Sequence, residues 1–328
     1  MQPIPVTEAS QVGSVRRTAT DLAIGLGFDE VDTARVAIVA TEMATNLAKH
    51  GREGVVLMRV AARPPAASLE LIALDRGPGI ADVGRALQDG HSTAGTSGTG
   101  LGAIRRGATR FDLYTSPAGT AVLAALSPAG TSAPAGFDVG VVSVPYPGED
   151  VCGDGFAIDQ QDGRALAMVV DGLGHGAPAA AAAIRAGEIF DAHHGLGPVD
   201  LMRRLHDGLR PTRGAAGALA EVDARRGVVR YCGVGNIAAT ILIGTSTRSL
   251  VSHHGTLGHD ARRIAEFQHP WTADSTLVMS SDGLVSHWTL DKYPGLADRA
   301  PSLIAAVLYR DCRRHRDDTT VLVLRGRS

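Results

Sequence analysis

The stretch Leu69-Glu70-Leu71-Ile72-Ala73-Leu74-Asp75-Arg76-Gly77-Pro78-Gly79 sets an apolar strand directly against an acid and two closely spaced glycines. The strand delivers Asp75 onto a turn whose backbone can approach a ligand closely. A carboxylate held there can accept from an exocyclic amine, although a plain turn has the same local composition. Working outward toward the N-terminus, the spacing predicts a helix from about Asp29 to His50. Val36, Val39, Met43 and Leu47 recur at helical spacing as its buried stripe, and Glu42, Asn46 and Lys49 follow at i, i+4 and i+7 on an adjoining one. A carboxylate and a carboxamide one turn apart suit a magnesium-phosphate site, and equally an ordinary solvated helix face. Working outward the other way, Gly95-Thr96-Ser97-Gly98-Thr99-Gly100-Leu101-Gly102 opens into Ala103-Ile104-Arg105-Arg106. Such a run is either a surface loop or a phosphate cradle, with free N–H groups at the start of the helix that follows Gly100.

Further elements frame this centre: a helix near Val12 to Leu26, and strands at Val55 to Ala61 and Thr120 to Leu126. Then comes a seam. Ser127 to Gly136 reads Ser-Pro-Ala-Gly-Thr-Ser-Ala-Pro-Ala-Gly, without large apolar side chains, and is predicted to be a linker. Beyond it the chain is rich in short β-branched runs, at Ala165 to Val170, Val228 to Tyr231, Ala239 to Ile243, Thr276 to Met279 and Thr320 to Leu324. Helical stretches near Ala177 to Asp191 and Val199 to Leu209 interrupt them. Aspartates stand at the ends of these runs: Asp154 before a hairpin, Asp171-Gly172 after Val170, Asp282-Gly283 after Met279, and Asp317-Asp318 before Thr320. One Asp-Gly pair is a common turn. Carboxylates converging from several strand ends would repel one another unless they hold hard divalent cations, and such ions can generate hydroxide for attack on phosphorus.

The order Glu42-x-x-x-Asn46, Asp75-x-Gly77-x-Gly79, Gly98-x-Gly100-x-Gly102, then Gly119-Thr120, resembles the GHKL ATPase superfamily, in particular its anti-sigma and switch-kinase branch of the RsbT and RsbW type. The resemblance covers roughly residues 5–127. It implies Asn46 as the magnesium ligand, Glu42 as general base and Asp75 as the adenine-reading carboxylate, with Gly77 and Gly79 in its turn. It also implies Gly98, Gly100 and Gly102 around the phosphates of ATP, Thr120 near adenine, Arg105 as a γ-phosphate contact, and Asp89 to Thr93 as the mobile ATP lid. The second half, over about residues 137–326, resembles the metal-dependent protein phosphatase (PPM) superfamily in its SpoIIE and RsbX-like branch. That implies Asp171 bridging two Mn²⁺ or Mg²⁺ ions, with the Gly172 carbonyl, Asp154, Asp282 and Asp317 completing the set and Asp318 as a neighbour. Gly233-Val234-Gly235-Asn236-Ile237 also looks RsbX-like, with no chemical role for Asn236 readable from spacing. The arginine that grips phosphate near the start of the domain in eukaryotic-type members has no counterpart before Asp154, which leaves substrate grip to the metals and the partner protein. His175 has two readings, an acid for the leaving oxygen or a structural histidine in a glycine turn.

The expected fold class is therefore α+β. A GHKL (Bergerat) ATP-binding α/β sandwich spans residues 1–127, a linker spans 128–136, and a PPM-type αββα sandwich spans 137–328. A length of 328 residues accommodates two cores. The formal net charge of -2 argues against a polyanion partner, so neither nucleic acid nor an anionic membrane is expected. No basic n-region with an apolar h-region and no spanning apolar run is present, which predicts a cytoplasmic protein. Cys152, Cys232 and Cys312 lack CxxC spacing and read as reduced thiols. His193, His194, His253, His254, His259 and His269 read as loop histidines without zinc-ligand spacing, and Arg313-Arg314-His315-Arg316 as the basic end of a helix.

The resemblances together imply a bacterial signalling enzyme of partner switching. One half would phosphorylate Ser or Thr on STAS-domain antagonist proteins (RsbS-like), and the other would hydrolyse phosphoserine or phosphothreonine on the same or related partners. A linker of about ten residues, spanning at most ~35 Å, would hold a docked partner near both sites. Two alternatives stay open. The first half is a nucleotide-gated module that sequesters a sigma factor or activates a downstream phosphatase by contact, or the second half is a silent docking platform.

Overall fold

The computed structural model describes residues 1–61, 68–88, 100–128, 131, 136–161, 163–244 and 246–326. The chain divides into two compact units, Met1–Pro134 with Lys292–Val307, and Ala135–Asp291 with Leu308–Ser328.

In the first unit a short strand β1 (Ile4–Pro5) leads through α1 (Val12–Gly25) to the long helix α2 (Glu30–His50). Then follow β2 (Val55–Ala61), β3 (Ser68–Leu74), α3 (Val83–Ala86), α4 (Gly100–Gly107), β4 (Arg110–Ser116) and β5 (Gly119–Leu126). The strands form one sheet in the order β1-β2-β3-β5-β4. Helix α2 starts where Asp29 accepts from the Asp32 amide at 2.7 Å, and Glu30 and Asp32 in its first turn oppose Lys49 and His50 in its last. Its predicted stripe is the buried one. Val36, Val39, Met43 and Leu47 pack with α1, with Ile104 of α4, and with Leu71, Ala73, Val122 and Ala124 on one sheet face. Each such side chain contributes roughly 1.5–3 kcal/mol by leaving water. Strand β5 is buried along its whole length, which fits its continuous apolar run. Glu70 on β3 is buried too, ion-paired to Arg59 at 2.7 Å and accepting from Ser302 Oγ at 3.0 Å; Asp112 on β4 accepts from the Ala300 amide at 2.6 Å. Strand β4, which has no clear alternation in Arg-Phe-Asp-Leu-Tyr-Thr-Ser, goes unread in the sequence because tertiary pairing with β5 specifies it.

The second unit contains β6 (Phe137–Val144), β7 (Asp154–Gln161), β8 (Arg164–Gly172), α5 (Ala177–His193), α6 (Pro198–Gly208), β9 (Ala215–Asp223) and β10 (Val228–Val234). It continues with β11 (Ala238–Ile243), β12 (Ser246–Leu250), β13 (Phe267–Pro270), β14 (Ser275–Ser280), the last turns of α7 (Pro301–Cys312), and β15 (Thr319–Gly326). Two five-stranded antiparallel sheets result, β13-β10-β9-β8-β7 and β12-β11-β14-β15-β6. Inner faces carrying Val141, Ala167, Val169, Ala218, Tyr231, Ile241, Met279 and Leu322 pack into one core. A second core, with Met168, Val170, Ala182, Ala186, Phe190 and Leu205, joins the outer face of the first sheet to α5 and α6. The alanine-rich segment is accordingly a tightly packed helix: Ala179, Ala182 and Ala186 are fully buried.

Several histidines differ from their predicted loop setting. His193 closes α5 and His269 lies in β13, while His253 is half-buried with its ring 5.5 Å from that of Phe267. Helix α7 ends at Cys312, and the basic residues after it join a bridge between Arg313 and Leu284, with the Arg314 amide donating to the Gly283 carbonyl at 2.7 Å. Among the described residues no helix is long and apolar enough to cross a membrane.

Candidate nucleotide site and aspartate centre

In the first unit the ends of α2, β3 and β5 and the start of α4 come together. Gly51 closes α2, and a Cβ there would stand 3.2 Å from Asp75 Cβ, so the helix terminus rests on the strand that carries the acid. The Asp75 amide donates to the Thr120 carbonyl at 3.0 Å, and its carboxylate accepts from the Gly77 amide at 2.6 Å. Thr120, nearly buried, lies 3.2 Å from Thr115 Oγ1, which itself accepts from the Ile80 amide at 2.8 Å. Gly79 adopts φ +79°, and a Cβ would sit 2.3 Å from the Ser116 carbonyl oxygen, so only glycine fits this turn. Opposite, Gly100 begins α4 with its α-carbon against the Asn46 amide: a Cβ would meet Asn46 Oδ1 at 3.2 Å. Glu42 lies one turn earlier on α2, and both side chains are partly exposed. Gly102 is buried in the first turn of α4 and Arg105 is exposed on it. Gly98 and the segment Asp89 to Thr93 lie outside the described residues. A carboxamide set against the start of a helix, with a carboxylate turn in the same unit, is a donor set that fits a magnesium nucleotide.

In the second unit, strands β7 and β8 pair so that Asp154 stands directly across from Asp171. Two like charges in register destabilise a ladder unless something else holds them. Strand β8 runs on through Asp171 to Gly172 rather than ending at Val170. Gly172 leaves no room for a side chain: a Cβ would be 2.3 Å from the Ala179 carbonyl oxygen. At Gly283, after Asp282, a Cβ would be 1.8 Å from the Asp318 carbonyl oxygen, so the two acid-bearing turns are pressed together. Burial first, and then the fields of Asp154, Asp282, Asp317 and Asp318, push the Asp171 carboxyl up to about 9. Burial raises Asp154 to about 7 despite a hydrogen bond from Ser281, and Asp317 is raised by burial and by Asp282.

Supporting residues that sequence reasoning did not assign are now placed. Ser281 Oγ donates to Asp154 Oδ2 at 2.6 Å, and Asn236 Nδ2 donates to Asp282 Oδ2 at 2.8 Å. Asp318 Oδ1 accepts from the Tyr146 and Gly153 amides, both at 2.9 Å, while its buried Oδ2 has no hydrogen-bond partner among the described residues. His175 Nδ1 lies 3.0 Å from Glu149 Oε1 and its ring stacks 4.4 Å from that of Tyr146. The Gly233 to Ile237 motif had pointed at Asn236 without a partner, since Asp282 is 46 residues away. Cys152 and Cys232 are free thiols, each pushed to about 12 by burial.

As placed, no three His, Cys, Asp or Glu side chains among the described residues stand close enough to close around one ion. The assembly nevertheless fits hard divalent cations: its donors are all oxygens, they repel one another as carboxylates, and one buried oxygen is unsatisfied. A carboxyl that binds its proton more tightly in the folded protein than in the unfolded chain makes folding take up protons. Without divalent cations, stability is therefore expected to fall as pH rises between about 4 and about 9, the interval set by Asp154 and Asp171. Thermal melting in EDTA should show this decline and manganese should reverse it, most strongly at the alkaline end. A flat EDTA profile with no gain from manganese would contradict the reading.

A Bergerat-type ATPase fold and a PPM-type phosphatase fold thus sit on one chain. Residues 161–327 match the family described as "Stage II sporulation protein E (SpoIIE)", and residues 4–126 match "Histidine kinase-like ATPase domain". The chain belongs to the SpoIIE family, with a histidine-kinase-like ATPase domain fused ahead of the phosphatase domain. Over 100 residues it is 34% identical to the serine/threonine-protein kinase RsbT of Bacillus subtilis (strain 168), covering 30% of this chain and 75% of RsbT. Over 139 residues it is 24% identical to the phosphoserine phosphatase RsbX of the same organism, covering 42% and 69%. Among solved structures it is similar to RsbX in complex with magnesium, with a TM-score of 0.52 at 17% identity, over 60% of this chain and 98% of that one. A chain solved in work on the bacterial stressosome gives 0.54 at 29% identity, over 58% and 99%.

Proposed function

We propose that this chain is a bifunctional partner-switching enzyme: its first unit transfers the γ-phosphoryl group of ATP to Ser or Thr of a STAS-domain antagonist protein, and its second hydrolyses the resulting phosphoester. The observation that carries the reading is the pairing of Asp154 with Asp171 in register, surrounded by Asp282, Asp317 and Asp318, in the same chain as Asn46 set against the start of α4.

In the first unit Asn46 would hold Mg²⁺, Asp75 would read adenine beside Thr120, Gly77 and Gly79 would shape that turn, and Gly98, Gly100 and Gly102 would line the phosphates with Arg105 at the γ-position. Glu42 accepts the proton of the attacking hydroxyl. In the second unit Asp154, Asp171, Asp282, Asp317 and the Gly172 carbonyl would hold two Mn²⁺ or Mg²⁺ ions. Cations bound there would supply hydroxide at neutral pH and neutralise charge on the phosphoryl oxygens. The chain's own part is orientation: Ser281 fixes Asp154, Asn236 fixes Asp282, and Asp318 ties the Tyr146 to Gly153 loop to β15.

The test uses the Asp171→Asn protein, labelled ATP and magnesium, with a STAS-domain protein as acceptor. Label on the acceptor that disappears after wild-type protein and manganese are added is the expected result. Absence of transfer despite nucleotide binding would leave the first unit as a nucleotide-gated binding module, and persistence of the label would remove the phosphatase assignment.

A further inference from the structure

Arg213 lies in the connection between α6 and β9, a segment that no sequence motif marks. Its backbone is held on both sides. The Thr212 amide and hydroxyl both donate to the Leu209 carbonyl, at 2.9 and 2.7 Å, and the Gly214 amide donates to Thr212 Oγ1 at 3.0 Å. Gly214 adopts φ +81° and packs so tightly that a Cβ would lie 2.6 Å from the Leu257 carbonyl oxygen. The Leu173 amide donates to the Gly214 carbonyl at 3.0 Å, and Asp171 and Gly172 pair with Ala216 and Ala215. The segment is therefore stitched to the turn that carries the central aspartate. Its guanidinium reaches that turn as well: a Cβ on Gly174 would stand 3.3 Å from Arg213 Nη1.

Arg213 is exposed and, among the described residues, makes no ion pair or hydrogen bond. Arg59, Arg164, Arg230 and Arg310 by contrast each pair with a carboxylate. An unpaired cation against the turn that follows Asp171 has an electrostatic use. Five ionised aspartates outweigh two divalent cations in charge, so a phosphomonoester dianion arriving there needs a further positive partner. The planar fork of a guanidinium matches phosphate oxygens in pairs.

We propose that Arg213 binds the phosphoryl group of the phosphoprotein substrate, so that grip on phosphate comes from the α6–β9 segment of this chain. The proposal rests on the phosphatase reading of the aspartate centre, and it places a phosphate contact after Asp154 in the chain.

The test compares wild type, Arg213→Ala and Arg213→Lys as full-length proteins in manganese. Steady-state hydrolysis of a phosphoserine peptide is measured alongside calorimetric binding of inorganic phosphate and of manganese. Loss of one charge-assisted contact should raise KM and weaken phosphate binding by about 10- to 100-fold in Arg213→Ala, with lysine restoring part of it. Manganese affinity and the melting temperature should stay at wild-type values. Wild-type KM and phosphate affinity in Arg213→Ala, with wild type active, would overturn the proposal and leave the phosphatase reading standing. Loss of manganese affinity or of melting temperature in step with activity would overturn it in favour of a structural role. An inert wild type whose phosphate binding still depends on Arg213 would support the contact and remove the phosphatase reading instead.

Discussion

Asp171→Asn is expected to lower manganese-dependent hydrolysis of a phosphoserine peptide by roughly 10³-fold or more. Metal polarisation and hydroxide generation supply several kcal/mol of transition-state stabilisation, and each 1.36 kcal/mol is tenfold in rate, so on the proposed reading about three decades disappear with this carboxylate. The same substitution should leave the fold intact. Asn is nearly isosteric with Asp, and the wild-type side chain faces Asp154 in the ladder with the fields of Asp282, Asp317 and Asp318 opposing its ionisation. Removing that ionisable group relieves repulsion, so the Asp171→Asn protein in EDTA at alkaline pH should melt at or above the wild-type temperature. Two measurements, peptide hydrolysis in manganese and melting in EDTA, therefore move in opposite directions if the residue serves cation binding. Activity kept within tenfold of wild type would take Asp171 out of the centre, and a large drop in melting temperature would make it a structural residue.

How far the sequence could be read follows from the range of each interaction. The α2 stripe of Val36, Val39, Met43 and Leu47 is legible because helical periodicity is local, and its burial against the sheet confirms the face. Strands β4, β6 and β9 lack a clear local signal: β4 is specified by its antiparallel pairing with β5, β9 by its pairing with β8, and β6 by β15 more than 170 residues away. The aspartates are legible as Asp-Gly turns at strand ends. Their mutual placement is not, because the register that sets Asp154 across from Asp171 depends on the length of the intervening hairpin. Residues that brace the acids are harder still. Asn236 and Ser281 carry no spacing rule, since each finds its acid through strand pairing and not through the helix or turn geometry that a sequence displays. Asp318 shows the converse. Beside Asp317 it reads as a second ligand or a neighbour, and the structure turns its Oδ1 onto two loop amides.

The second large effect separates binding from transfer in the first unit. Asn46 sits against the start of α4, where a Cβ on Gly100 would meet its side-chain oxygen at 3.2 Å, and on the proposed reading its amide stands where magnesium and phosphate would bind. Asn46→Ala should weaken ATP binding by about 10- to 100-fold, the loss of a contact to a charged group, and abolish transfer with it. Glu42 lies one turn away on the same helix, and since its proposed role is to accept a proton and not to hold phosphate, its replacement should leave nucleotide affinity within about threefold. On the proposed reading, what Glu42→Ala removes is the base. Transfer to the acceptor hydroxyl should fall by roughly 10²- to 10⁴-fold at saturating ATP. The two variants then give opposite patterns in equilibrium nucleotide binding and single-turnover transfer: Asn46→Ala loses both, Glu42→Ala only the second. If Glu42→Ala transfers phosphate at the wild-type rate, the proton leaves by another route and the kinase mechanism drawn here falls. If wild type and Glu42→Ala bind ATP alike and neither transfers, the helix serves nucleotide-dependent partner binding, and the only chemistry left to the chain is that of its aspartates.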